Sequence, residues 1–174
     1  YFFHWNKIIL FLYNIISYRL NLKFMTIEIN YKNSSSQDAS GNLILFVNDK
    51  FEIKGFKKYI SKSEQLYISD LLKISDLKKR LVTFDLSSKR KIILISIKKD
   101  IKDSLIENLG AELYNQIQKS KNSRYIIDLD TLDSKNSNFI FHFLHGLKLK
   151  SYEFNKYKTK KKNNLIKITV CGTK

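Results

Sequence analysis

Apolar and polar positions along the chain fall into short stretches that predict strands and helices in turn. The TIEINYK run at 26–32 alternates apolar and polar residues and predicts a strand. The NLILFV run at 42–47 is continuously apolar, which is typical of a strand buried on both faces. Two further runs, 80–86 and 91–98, flank a short SSKR segment and predict an antiparallel pair. The chain up to residue 98 thus predicts four strands.

Helical periodicity follows in three places. The 54–79 segment is helical in its later part, where Leu66, Ile68 and Leu72 contribute to an apolar stripe. A second helix carries apolar residues at every fourth position, and Ser104 with Glu107 suggests a capping box at its start. Its stripe consists of Leu105, Leu109, Leu113 and Ile117. Residues 137–154 predict a third helix, wedged against the sheet because most of its circumference is apolar.

Gly110 interrupts the second predicted helix. Glycine in a helix interior is less favourable than alanine by about 1 kcal/mol. We therefore expect Gly110 to allow close packing of this helix against the sheet.

Two more strands complete the pattern, at 124–130 and 165–170. Strands that alternate with helices predict a single α/β domain, with a mixed sheet covered by helices on both faces.

The net charge of +16 suggests a polyanionic partner such as nucleic acid. However, 28 of the 32 basic residues are lysine and only 4 are arginine, in a chain without proline. A- and T-rich codons favour this composition, and arginine is the side chain best suited to gripping bases and phosphates. The charge by itself therefore argues only weakly for specific recognition of nucleic acid.

The first 24 residues are aromatic and aliphatic, and they lead directly into Met25. The apolar core of this segment is short and interrupted by Asn14, which argues against a transmembrane helix. It also lacks the small-residue cleavage site of a signal peptide. We expect translation to start at Met25, so that residues 1–24 are upstream DNA read in frame. A helix lying on a membrane surface is the alternative.

The sequence gives little support for metal binding or for thiol chemistry. Cys171 is the single cysteine, which excludes an internal disulfide and a multi-cysteine zinc site and fits a reducing cytoplasm. His142 and His145 are three residues apart and share a helix face, but no carboxylate is close to them in sequence. We therefore predict ordinary helix histidines and no metal ligands.

No catalytic constellation is apparent in the sequence. Glycine-rich phosphate loops and G-x-S-x-G nucleophile elbows are absent. Asp128, Asp130 and Asp133 follow a predicted strand, where metal-binding carboxylates often lie. Their spacing instead predicts a loop that caps the following helix. No residue of this chain is predicted to be catalytic.

The GLKLKSYEFNKYKTK stretch at 146–160 resembles the helix that closes the N-terminal domain of the leucyl aminopeptidase (cytosol aminopeptidase) family. In that family the helix is written roughly G-x-x-L-x-S-Y-x-F-x-x-Y-K. The preceding order is also similar: an apolar strand at 92–97, a helix containing Leu109-Gly110-Ala111, and a strand near Ile126. The resemblance covers residues 25–174.

The resemblance implies a macro-domain-like α/β domain that precedes a larger C-terminal catalytic domain. In the family, that second domain binds two divalent metal ions, zinc or manganese, and removes N-terminal amino acids from peptides. Its motifs, K-G-x-x-F-D-[ST]-G-G and N-T-D-A-E-G-R, do not occur here. The VTFD stretch at 82–85 echoes the first motif, but Leu86-Ser87-Ser88 replaces the small residues that should follow.

On this resemblance we expect a non-catalytic domain, inactive alone and without a cofactor of its own. Its partners would be its own C-terminal catalytic domain, missing here, and further copies in a homo-oligomer. We expect the protein in the cytoplasm and no association with a membrane.

The lysine-rich run near the end of the motif has two interpretations. On the family resemblance it is a solvated turn into the next strand. The alternative is a free-standing basic module that binds nucleic acid through phosphates, without reading bases. The candidate residues for that interaction are Lys158, Lys160, Lys161 and Lys162.

Overall fold

The computed structural model describes residues 26–33, 41–98, 100–120, 122–132, 138–152 and 165–172. These residues form six strands, three helices and two short 3-10 turns, Lys54–Phe56 and Leu129–Thr131. The strands are β1 Ile27–Lys32, β2 Asn42–Asn48, β3 Leu81–Ser87, β4 Arg90–Ile97, β5 Arg124–Asp128 and β6 Ile166–Cys171. The helices are α1 Lys62–Ile74, α2 Asp103–Ile117 and α3 Phe139–Ser151.

All six strands form one sheet in the order β1-β6-β5-β2-β4-β3. The only antiparallel pair among the described strands is β3 with β4, and the other four pairs are parallel. The predicted mixed sheet and the predicted antiparallel pair are therefore confirmed. Along the sequence, the chain crosses the sheet from β1 through β2 to the edge strand β3, and then returns through β4, β5 and β6.

Both faces of the sheet are buried, which explains the continuous apolar run in β2. Ile44 and Phe46 face α2 and α3 and join one cluster of buried side chains. Leu43, Leu45 and Val47 face the opposite way and pack in a second cluster with residues of α1. The predicted covering of both faces by helices is confirmed.

Helices α2 and α3 touch each other through their backbones. A Cβ atom added at Gly110 would lie 2.0 Å from the carbonyl oxygen of Phe143, and one added at Gly146 would lie 2.0 Å from that of Glu107. The expectation that Gly110 packs against the sheet is therefore wrong, since its close neighbour is the other helix. Neither position has room for a side chain.

The ends of several elements differ from the sequence prediction. Helix α2 has Lys102 at its N-cap and no side-chain cap, so the predicted capping box of Ser104 and Glu107 is wrong. The helix begins one residue before Ser104, which places that residue inside the first turn. Strand β5 ends at Asp128 because the chain there enters a 3-10 turn.

A complete capping box does occur at the start of α1. The Ser61 hydroxyl accepts a hydrogen bond from the backbone N–H of Glu64, and the Glu64 carboxylate accepts one from the backbone N–H of Ser61. Arg90 reinforces this end of the helix, since its Nε lies 2.7 Å from the Glu64 carboxylate. These contacts fix where α1 begins.

Some predictions fall outside the described residues. They concern the 1–24 segment, Asp133, and the basic run with its candidates Lys158, Lys160, Lys161 and Lys162. Within the described ranges, no helix has the length and apolar character needed to cross a membrane.

Replacing either contact glycine by alanine should strongly destabilise the domain. We expect Gly110→Ala and Gly146→Ala each to lower the free energy of unfolding by at least about 2 kcal/mol, because the two helix backbones must move apart. Urea denaturation measures the change. Gly55→Ala is the control, since no atom lies within 4 Å of its added Cβ, and should stay within about 0.5 kcal/mol. Equal stability of all three variants would contradict the observed contact.

Candidate functional site

The carboxyl ends of β2, β5 and β6 meet at one edge of the sheet, where ligands of open α/β sheets usually bind. Asp128 ends β5 at this edge and is fully buried. Its Oδ1 accepts hydrogen bonds from the Tyr59 hydroxyl, at 3.1 Å, and from the backbone N–H of Asp130, at 2.9 Å. Asp128 therefore caps the 3-10 turn after the strand, and the prediction that this loop caps the following helix is wrong, since α3 begins after Asn138 without a side-chain cap.

The side chains around Asp128 are held in uncharged, weakly reactive forms. Burial, followed by the Asp128 charge, raises the pKa of Tyr59 far above its usual value. Burial and the same carboxylate also raise the pKa of Cys171, so its thiol remains protonated at neutral pH. Lys58 approaches only the outer carboxylate, with Nζ 3.9 Å from Oδ2 of Asp130. This arrangement provides structural hydrogen bonds and no activated nucleophile.

A second polar cluster joins α2 to α3. His142 and His145 share one face of α3, as expected, but the expectation that they lack a nearby carboxylate is wrong. Oε1 of Glu107 lies 3.0 Å from Nδ1 of His145 and 3.4 Å from Nδ1 of His142. Oδ2 of Asp103 lies 3.4 Å from Nε2 of His142. The sequence could not show this, because both carboxylates come from a different helix.

This cluster lies directly beside the contact between the two glycines, since Glu107 supplies both the carboxylate and the carbonyl that faces Gly146. Hydrogen bonds from His145 and then His142 lower the pKa of Glu107. The ring of Phe141 also stacks on that of His145, with a centroid distance of 6.1 Å. The cluster therefore acts as a clamp between helices.

Across the described ranges, no three His, Cys, Asp or Glu side chains are grouped so that they could hold a metal ion. The lysine candidates of the basic run lie outside those ranges, so their role stays a prediction.

Comparison with protein families gave one match. The sequence model described as "Cytosol aminopeptidase family, N-terminal domain" matches residues 44–161. A search of curated protein sequences gave no significant match.

Comparison with solved structures gave relatives of low sequence identity. A mutant of tomato leucine aminopeptidase is 17% identical, with a TM-score of 0.59, and the match covers 85% of this chain. It covers 33% of the tomato chain, so the present chain spans about a third of that enzyme.

Two macrodomains are also similar in structure. The macrodomain of Thermus aquaticus DarG is 12% identical with a TM-score of 0.54, and the match covers 83% of this chain and 98% of the macrodomain. The macrodomain of Mycobacterium tuberculosis DarG is 12% identical with a TM-score of 0.56, covering 83% and 97% of the two chains. At these identities the likeness establishes the fold, and the macro-like α/β fold is confirmed.

The hydrogen bond from Tyr59 to Asp128 should contribute measurably to stability. Because the acceptor is a buried carboxylate, we expect Tyr59→Phe to lower the free energy of unfolding by about 1–3 kcal/mol. Urea denaturation measures it. Tyr67→Phe on the half-exposed side of α1 is the matched control and should change stability by less than about 0.5 kcal/mol. Identical curves for both variants would refute the importance of this bond.

The clamp between α2 and α3 should depend on pH. Since the pKa of Glu107 is lowered in the folded state, its stabilising contribution is full above 4.5, the usual pKa. That contribution is lost as the pH falls through the lowered value. The stability difference between wild type and Glu107→Gln should therefore stay constant above pH 4.5 and shrink as the pH falls below that value. A constant difference for Glu107→Gln would contradict the clamp.

Proposed function

The chain belongs to the cytosol aminopeptidase family as its N-terminal domain, which confirms the resemblance of the 146–160 motif, and we propose that it is a non-catalytic domain of a leucyl-aminopeptidase-like metallopeptidase. In this proposal a C-terminal domain removes N-terminal amino acids from peptides. That domain would hold two divalent metal ions, zinc or manganese. The present domain supports assembly and shapes access to the catalytic domain in a cytoplasmic homo-oligomer.

An exposed apolar stripe on α3 is the observation that carries this proposal. Phe141 is 67% exposed, Leu149 60% and Tyr152, which directly follows the helix, 47%. At helical spacing these three residues and His145 lie within one narrow arc of the helix. Large apolar side chains that gather on one surface mark sites of protein contact.

The stripe is held rigidly, as a docking surface requires. On the opposite side of α3, Phe143 and Leu147 are fully buried in the core, and Gly146 fixes the helix against α2. The stripe therefore points outward, and a partner would not need to reorder the helix before binding.

We assign this stripe to the catalytic domain of the same protein. Support comes from the family match, which is to an N-terminal domain, and from the tomato enzyme, of which this chain spans only 33%. Helix α1 exposes a second apolar set on the opposite layer, which is available for contacts between copies. Its members are Leu66, Tyr67 and Ile74.

The proposal predicts that the 174-residue chain has no peptidase activity. Purified protein mixed with L-leucine p-nitroanilide and Mn²⁺ or Zn²⁺ should release no more chromophore than buffer. Release that depends on the metal and follows the protein through each purification step would contradict a non-catalytic domain.

The source DNA provides the complementary test. Downstream of codon 174 we expect an open frame that encodes the K-G-x-x-F-D-[ST]-G-G and N-T-D-A-E-G-R motifs. In the longer protein, Phe141→Ser with Leu149→Ser should loosen the contact between α3 and the catalytic domain, seen as faster limited proteolysis between the two domains. Lys150→Ser, on the other side of the same helix, is the control. Unchanged proteolysis of the apolar variant would remove the stripe from the interface between the two domains.

A further inference from the structure

A cleft lies between the edge strand β3 and the C-terminal half of α2, away from both polar clusters described above. It consists of an outer cavity of about 730 Å³ and an inner cavity of about 260 Å³. Gln116 of α2 and Lys119, which lies two residues beyond the end of α2, line both cavities, so the two adjoin. The outer volume falls within the range of ordinary small-molecule sites, about 300–1,000 Å³.

The outer cavity is strongly basic. Lys78, Lys79 and Arg80 precede β3 on one wall, and Lys119 stands on the other, with Glu112 as the single acidic residue of the lining. Among the described residues, no carboxylate lies within ion-pair distance of these four cations. Four cations that converge without internal partners attract anions.

The backbone that carries three of these cations is held in place. The Asp76 carboxylate accepts a hydrogen bond from the backbone N–H of Lys78, and the Asp76 carbonyl accepts one from Lys79. The carbonyl of Arg80 accepts a hydrogen bond of 2.7 Å from Ser96 in β4. The backbone of these three residues is therefore already fixed before an anion binds, so that binding costs little backbone conformational entropy.

The inner cavity adds hydrogen-bonding groups and one ion pair, since Asp85 and Lys91, which are paired with each other, also line it. Tyr125 of β5 lines it and is 1% exposed, and its hydroxyl has no hydrogen-bond partner among the described residues. Burial raises the pKa of Tyr125, the neighbouring Ser120 and Lys91 lower it by less, and the charge of Asp85 also raises it, so the hydroxyl keeps its proton. Nearby, Gln116 donates a hydrogen bond of 2.7 Å to the Thr83 hydroxyl. A buried hydroxyl without a partner is unusual and suggests that something else satisfies it.

We propose that this cleft binds a phosphate-bearing small molecule of nucleotide size. Lys78, Lys79, Arg80 and Lys119 hold its phosphate groups in the outer cavity, and its inner end accepts a hydrogen bond from Tyr125. Arginine and lysine together suit this task, since arginine bonds two phosphate oxygens at once and lysine adds a mobile charge. A small ligand is favoured over a nucleic-acid strand because the inner cavity, lined by Ile93, Ile117 and Tyr125, has a volume of only about 260 Å³.

Isothermal titration of the 174-residue chain with inorganic pyrophosphate tests the proposal. We expect saturable binding to one site, weaker at higher salt. Arg80→Gln with Lys119→Gln should lower the affinity about tenfold or more. Lys158→Gln with Lys160→Gln removes the same charge from the other basic run and should change it less than about twofold. Circular dichroism confirms that each variant is folded.

Tyr125→Phe tests the inner cavity separately. It should weaken the binding of a nucleoside diphosphate, which is long enough to reach the inner cavity, without lowering the unfolding temperature of the free protein, because the hydroxyl it removes has no partner there. Unchanged affinity would overturn the role given to this hydroxyl. Absence of saturable binding would overturn the whole proposal. So would equal losses in the two double variants, which would indicate diffuse attraction of polyanions. None of these results depends on peptidase activity, so they test this proposal independently of the proposed function.

Discussion

The backbone contact of Gly110 with α3, and of Gly146 with α2, is the constraint on which the rest of the domain depends. Each glycine is less favourable than alanine in a helix by about 1 kcal/mol, and close approach of the helices offsets this. Because the helices approach so closely, Phe143 reaches the core and meets Phe46 edge to face at 5.6 Å. Thr26 then ties the start of β1 to both helices, through the Tyr114 hydroxyl and the Ser151 carbonyl.

This contact also decides which groups remain for function. The Glu107 carboxylate is hydrogen-bonded to the two histidines of α3. The Asp128 carboxylate accepts hydrogen bonds from Tyr59 and from the turn after β5. The polar groups most often associated with chemistry are thus engaged in holding elements together. What the domain presents outward is the apolar stripe of α3 and the basic cleft beside β3, and we propose both as surfaces for binding.

The sequence predicted the elements well because hydrophobic period and turn residues are local signals. The unbroken apolar run at 42–47 became the central strand, and the 146–160 motif led to the family. The sequence did not predict the tertiary contacts. Ser104 and Glu107 matched a capping box by spacing, yet the helix began one residue earlier and Glu107 turned toward α3. The sequence did not predict the cleft either, because Arg80 and Lys119 are far apart in the chain and only the fold brings them to one site.

The central claim is that α2 and α3 form one rigid unit with the sheet, and hydrogen exchange on the intact chain tests it most directly. Backbone amides of both helices around Gly110 and Gly146 should exchange together with those of β2 and β4, only through global unfolding. If the α3 amides instead exchange early, by local opening while α2 stays protected, the glycine contact does not hold the domain together and α3 cannot serve as a rigid docking surface.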